Sequence, residues 1–536
     1  MARKISRRKF LESTAVLAAG AALGACAPKP TAAPTATSAP AATQAPAATA
    51  APTIVKNVPK GQVIYGQAEP PTSAQWDDQT VFGLVDFQVA GLVQDRLWEA
   101  DETGKLQPRL ATDWKYTDEK TLEVNLRKGV KYHDGSDFDA EDVKATIDRL
   151  VSDTKLAHNL FWGPVKVEIV DKYKVKIIGD PDPFGPLVPV LACTSIQPKE
   201  WVGQADKWKS GDNGCGPYKF VEYKNNRVVL EANDGYWDGA PGIKTVIFDY
   251  IEDWNARTNA LLAGDVDIIT RCSSEQLDAV KGNDKFYVVE NSPAISVAYI
   301  HSREKNKAMQ NKYFRQAMYL CFDRKMVLDK IMKGVGKYPE SIIATKCLFY
   351  EPLKEKYAFD VARAKDLLAK SGLAQSDMKI TMATSTLVPH QKEMDLQYMQ
   401  WLKDIGIEVQ VTTLEVGQFR TDWPQYDTSL NTIGTPNGDP DFLLSFYSGT
   451  TGVLGAGGDT AAHGEEVVQL FKKQRALTDN AKRQAAVTAN CEWLWDYQPV
   501  AIVSDELWPF IVNKRIKNYK RQATFSEPLL RYATVA

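Results

Sequence analysis

The chain has 536 residues, too many for one small core and enough for two or three lobes. Its 65 Lys and Arg nearly balance 67 Asp and Glu, so the basic excess of a general nucleic-acid binder is missing. Aromatics are plentiful, with 13 Trp and 21 Tyr, which suits a large core and leaves some for a cleft wall.

Met1 to Cys26 reads as a targeting segment outside the fold. Ser6-Arg7-Arg8-Lys9-Phe10-Leu11 resembles the twin-arginine export motif. The apolar run from Ala15 to Leu23 is shorter than the about 20 residues a spanning helix needs. Leu23-Gly24-Ala25-Cys26 resembles a bacterial lipobox, so Cys26 is the expected lipidation site; a plain secretory signal with a chance Cys is the alternative. Residues 27–60 are rich in Ala, Pro and Thr and almost uncharged, the composition of an extended, disordered tether.

The folded body begins near Gly61. Gln62 to Gly66 reads as a strand and Val81 to Trp98 as a helix. Val124, Leu126 and Val130 alternate with polar residues as in a half-buried strand. His133-Asp134-Gly135 is a turn, with Gly free to take a positive φ. Asp139 can cap a following helix, with Glu141 and Asp142 at the positive end of its dipole. Val143, Ile147 and Leu150 form that helix's apolar stripe. The loop His158 to Gly163 carries Phe161 and Trp162 side by side; adjacent strand residues point opposite ways, so at most one faces a ligand. Val165 to Ile178 alternates as a hairpin. The character changes near Ser296. Asp360 to Gly372 is a capped helix with a terminal Gly. Lys379 to Met382, Gln391 to Ile405 and Gly406 to Val411 form a strand–helix–strand unit. The tail, Pro499 to Val503 and Trp508 to Tyr519, alternates again.

The stretch Leu126 to Val143, LRKGVKYHDGSDFDAEDV, closely resembles a signature of the extracytoplasmic solute-binding proteins of ABC importers, in the peptide/nickel-binding cluster called family 5. Lys105 to Trp114, Gly214 to Phe220, Asn233 to Trp237, Leu262 to Ile268 and Tyr313 to Arg324 resemble further elements of that family. Cys215 stands where the family usually has Thr. Turn and strand-entrance roles explain Asn233 to Trp237 and Leu262 to Ile268 without any ligand.

The resemblance runs from Gly61 to the tail. It implies an α/β, two-lobed periplasmic-binding-protein-like class II fold with an enlarged first lobe. Lobe I is expected over 61–295, with an extra subdomain at about 95–190. Lobe II is expected over 296–501, and 502–536 returns to lobe I. The implied function is a receptor that captures an oligopeptide or similar solute and delivers it to an ABC permease and its ATPase. Its place would be the extracytoplasmic face of the membrane, held by a lipid anchor.

No enzyme motif argues otherwise. There is no G-x-S-x-G, no H-E-x-x-H and no P-loop, and the five histidines are scattered. His463-Gly464-Glu465-Glu466 could touch a metal, but the sequence shows no convergent ligands, so no metal and no cofactor are expected. Of seven cysteines, six remain after Cys26, and Cys193 and Cys215 are the pair to test for a disulfide. Cys321 and Cys491 read as buried thiols.

A closing cleft draws ligand residues from both lobes. The polar loop Asn431 to Asp441 is the best candidate, with Thr435, Asn437 and Asp439; it resembles the family's ligand loop ending "DPD". The family's dipeptide binders grip the peptide amine with an acid where Pro436 stands, and the carboxylate with an Arg about where Ser385 stands. Each lost charge-assisted bond costs about 1.5–3 kcal/mol, so a free dipeptide is expected to bind poorly. A longer peptide held by its backbone fits, as does a neutral solute stacked on Trp76, Trp162 or Trp423. An oligosaccharide or metal-chelate receptor of the same family stays open. So do an extracytoplasmic hydrolase and a surface chaperone.

Overall fold

The computed structural model describes residues 57–536 apart from 72–75, 81–82, 157, 160–161, 212, 291–294, 302–305, 354–357, 436, 449–463, 506–508 and 524–527. Cys26, Phe161, Pro436 and His463 therefore lie outside the described residues, as do the signal and most of the tether. No helix among the described residues is long and apolar enough to cross a membrane.

The turn and helix expected around His133 form as read, while the strand stops at Leu126 and leaves Val130 outside it. The strand is Thr121–Leu126 and the helix Ala140–Ser152. Asp139 accepts from the Glu141 backbone N–H at 2.9 Å, and Asp142 reaches back to the Asp139 N–H at 2.8 Å, closing a capping box. Val143, Ile147 and Leu150 are fully buried against a four-stranded antiparallel sheet. Its strand order is Ala111–Tyr116, Thr121–Leu126, Lys174–Gly179, Val165–Asp171. This outer sheet is the enlargement of the first body.

The signature turn is a docking device. The His133 N–H donates to the Gly214 carbonyl at 2.8 Å, and Asp134 and Asn213 exchange hydrogen bonds of 2.7 and 3.1 Å. His133 Nε2 lies 3.1 Å from the Gly216 carbonyl, and burial lowers the ring's pKa to about 4, so it stays neutral. A Cβ at Gly214 would come within 1.9 Å of the Val93 carbonyl oxygen, so only glycine fits there. A second tie joins Asn233–Trp237 to Lys105–Trp114. Arg109 reaches Asp238 at 2.8 Å and lies over the Trp237 ring at 4.6 Å, while Tyr236 and Trp237 both donate to Asp95. These family motifs are fold-holding contacts.

The first body is built on a seven-stranded sheet, ordered Phe286–Val289, Phe510–Asn513, Ile268–Ile269, Lys60–Gln67, Ile243–Tyr250, Arg227–Ala232, Tyr218–Lys224. Lys60–Gln67 runs parallel to both its neighbours. The second body is built on a five-stranded sheet, ordered Glu408–Thr413, Lys379–Thr384, Thr428–Gly434, Ile295–His301, Val500–Asp505. Lys379–Thr384 and Glu408–Thr413 are parallel and joined by the helix Gln391–Asp404, the expected βαβ unit. The chain passes between the two sheets twice, after Val289 and after Asp505.

Three expectations change. The helix read from Val81 to Trp98 is Leu84–Val93, because the backbone turns extended at Gln94 and Trp98–Ala100 pairs with Leu106–Pro108. The last strand of the second sheet runs to Asp505, so the chain returns to the first body later than Ile502. Cys193 and Cys215 are not joined; all six described cysteines are buried free thiols. Cys193 donates to the Val190 carbonyl at 3.2 Å, and burial pushes the Cys215 thiol well above its usual range.

Candidate functional site

In open α/β sheets ligands bind at loops beyond strand ends, which makes the loop after Thr428–Gly434 the first place to look. The loop 435–441 follows the strand Thr428–Gly434 and precedes the helix Asp441–Ser448. Thr435 is fully buried, and its hydroxyl lies 2.6 Å from both the Asp439 carbonyl and Asn437 Oδ1, with one proton to donate to either. Asn437 Oδ1 also accepts from the Asp439 N–H at 2.9 Å. The Asp439 carboxylate is fully buried against Arg483, with two bonds of 2.6 Å. Asp441 is held by Arg475 at 2.7 Å and Gln474 at 2.6 Å. Both acids of "DPD" thus fix the loop to the helices Gly464–Arg475 and Asn480–Tyr497, and neither is open to a ligand amine. Asn437 is the half-buried member of the expected trio.

The other expected site residues separate. Ser385 is buried, donates to Gln391 Oε1 at 3.1 Å and accepts from the Leu387 N–H at 3.1 Å, so it shapes a turn. Trp76 is buried against Phe220, 4.8 Å between ring centroids, and meets the edge of Tyr223. Trp162 is buried in the core of the outer sheet, and its carbonyl accepts from Arg475 at 3.4 Å. Trp423 stays half-buried on the flank of the second core. Among the described expected rings, packing buries Trp76 and Trp162 and leaves Trp423 half-buried.

Charges that bridge the bodies are what the sequence did not disclose. Glu69, just past the strand Lys60–Gln67, is buried and takes hydrogen bonds from Arg271 of its own body and Arg420 of the other. Burial alone would raise the Glu69 carboxyl, but the guanidiniums of Arg420 and Arg271 outweigh it and hold it below the usual range. Glu275 meets Lys333 at 2.5 Å and His390 at 3.2 Å across the same gap. Burial opposes ionisation there too, yet the Lys333 hydrogen bond leads the contacts that bring Glu275 down to about 2. Nearby, Gln67 donates to Gln88 at 2.6 Å and accepts from Thr270 at 3.0 Å, while Gln88 Nε2 has no acceptor among the described residues. Glu69 and Arg420 lie 351 positions apart, so no local pattern could have paired them.

Among the described residues, no three His, Cys, Asp or Glu side chains are grouped to hold a metal ion. A family profile described as bacterial extracellular solute-binding proteins, family 5, middle region, matches residues 105–454. The chain belongs to this family of extracellular solute-binding proteins. The dipeptide-binding protein of Escherichia coli (strain K12) is 24% identical over 453 residues, covering 78% of this chain and 84% of the relative. The oligopeptide-binding protein AppA of Bacillus subtilis (strain 168) is 27% identical over 424 residues, covering 73% and 74%. Among solved structures, a dipeptide-binding protein from Pseudoalteromonas sp. SM9913 in complex with Met-Leu superposes with a TM-score of 0.79 at 20% identity, covering 89% of this chain and all (100%) of that one. NikZ from Campylobacter jejuni in complex with Ni(L-His) gives 0.79 at 20% identity, covering 89% and 100%. The family 5 proteins therefore share this two-body α/β fold.

Proposed function

We propose that this family 5 protein is the receptor of an ABC importer, taking an oligopeptide or similar solute between its two bodies and passing it to a permease driven by an ATPase partner. The observation that carries the reading is the pair of α/β bodies joined by two crossings, with Glu69 and Arg420 meeting across the gap. Closure on a solute needs contacts from both bodies, and this geometry supplies them without covalent chemistry. Relatives that bind dipeptides and oligopeptides support a peptide. Asn437 and Trp423 are half-buried among the described expected site residues, and they stand as proposed lining groups. With Asp439 and Ser385 occupied, a dipeptide gripped at both ends in the usual way remains a poor fit.

The decisive measurement is mass spectrometry of small molecules released on denaturing protein purified from its native host. Peptides of three or more residues are expected; sugars or metal chelates would move the reading within the family. Cleavage of labelled peptides or glycosides by the pure protein would replace it with a hydrolase. Cys26 is proposed as the lipid anchor, exported by the twin-arginine route. Cys26→Ala should then move the protein from the membrane fraction to the soluble one, and an unchanged membrane fraction would remove the anchor from the account.

A further inference from the structure

A third set of contacts joins the two bodies, and it uses the outer sheet. The helices Gly464–Arg475 and Asn480–Tyr497 of the second body meet at the corner 476–479. The Gly185 N–H, beside the outer sheet, donates to the Arg475 carbonyl at 2.8 Å. The Thr478 hydroxyl donates to the Glu119 carbonyl at 3.2 Å, between the strands Ala111–Tyr116 and Thr121–Leu126. Phe442, from the helix Asp441–Ser448, packs half-buried against the core of the outer sheet. A Cβ on Gly185 would lie 2.1 Å from the Leu477 carbonyl oxygen, and its three nearest atoms all belong to the second body. Yet φ at Gly185 is outside the left-handed region, so its own body would accept a side chain there. What demands glycine at 185 is the approach of the opposite body.

We propose that the corner 476–479 is a clasp that seats on the outer sheet and holds the bodies together without a solute, with Gly185 as the socket that admits it. Arg475 positions the clasp. Its guanidinium is held by Asp441 of the loop 435–441 at 2.7 Å, while Nη1 reaches the Trp162 carbonyl at 3.4 Å. Loop and clasp therefore share one residue, and Asp441 acts on closure through Arg475. The consequence for binding rests on the receptor reading: a clasp that touches no solute raises the closed fraction beforehand and strengthens every solute by the same factor.

The test uses protein stripped of solute, read by small-angle scattering and by hydrogen exchange at the Gly185 amide. Gly185→Ala sets a methyl against the Leu477 carbonyl and should enlarge the radius of gyration. Gly417→Ala makes the same change where a Cβ meets nothing within 4 Å, and should keep the wild-type radius. Phe442→Ala leaves the Gly185 amide in place but loosens the seat, so that amide should exchange about tenfold faster than in wild type. A wild-type radius in Gly185→Ala, or equal enlargement in both glycine variants, overturns the clasp. So does a wild-type exchange rate in Phe442→Ala, or a Gly185 amide that is unprotected in wild type. Thermal melts establish that each variant is folded; if Gly185→Ala does not fold, exchange in Phe442→Ala decides. No arm contains a solute, so these failures leave the receptor reading standing, and hydrolysis of labelled peptides would remove that reading without touching the clasp.

Discussion

Asp439 and Asp395 are buried to the same depth and meet opposite surroundings. Asp439 faces both ends of the Arg483 guanidinium, whereas Asp395 has no cation against it among the described residues and accepts from the Tyr299 hydroxyl at 2.8 Å. Burial therefore raises the Asp395 carboxyl to about 7, against the hydrogen bonds that work to lower it. The folded chain keeps a proton that the unfolded chain releases from the ordinary value of 3.8 upward. This contribution is fully present below that value and declines as pH rises to about 7. Asp395→Asn should remove this group's share of the decline. Urea melts at pH 5.5 and 8 should show wild type losing about 1–2 kcal/mol more than the variant across that interval. Asp78 and Asp142, raised by burial to about 6, act in the same sense, so the variant's difference isolates Asp395. Identical pH dependence in the two proteins would count against the buried-proton account.

At the scale of elements, the loop 435–441 is fixed by arginines from two later helices. Removing one partner of a buried pair leaves an uncompensated charge, which costs roughly 3–5 kcal/mol. Arg483→Met should destabilise by about that amount, and adding Asp439→Asn should recover part of it, because the stranded carboxylate is gone. Urea melts of the two singles and the double check this; additive losses would mean the pair is not coupled. Elements were legible where the signal is local. The Asp139 cap, the terminal Gly372 and the βαβ unit need only neighbouring residues to specify them. The helix ending at Val93 was over-extended because a continuous apolar run does not distinguish a buried helix from the buried strand Trp98–Ala100 beyond it. The ligand loop was legible as a loop, but the occupation of its acids was not, since Arg475 and Arg483 arrive from more than thirty positions away.

For the whole molecule, two sets of charges span the gap. The Glu69 carboxylate is nearly inaccessible, whereas Glu275 is half exposed and screened by water. Exposed pairs contribute about 0–1 kcal/mol, so the two should weigh differently on closure. Small-angle scattering of solute-free protein should give a larger radius of gyration for Glu69→Gln than for Glu275→Gln. High salt should loosen the Glu275 contact first. Equal radii for both variants and wild type would show that neither pair holds the bodies together.

What the sequence determined alone was the class of protein: α/β pieces carrying family 5 motifs, with no enzyme motif among them, while the targeting and tether roles of residues 1–60 stand as proposals. Periodicity, caps and turn residues encode backbone shape over a few positions, and motif spacing carries the family. Only the tertiary structure decided which polar groups are open. It turned Trp76, Ser385 and Asp439 inward, left Cys193 and Cys215 apart, and set Arg420 beside Glu69. Strand order and the two crossings choose those partners, and a buried charge takes whichever counter-charge packing delivers, however distant along the chain.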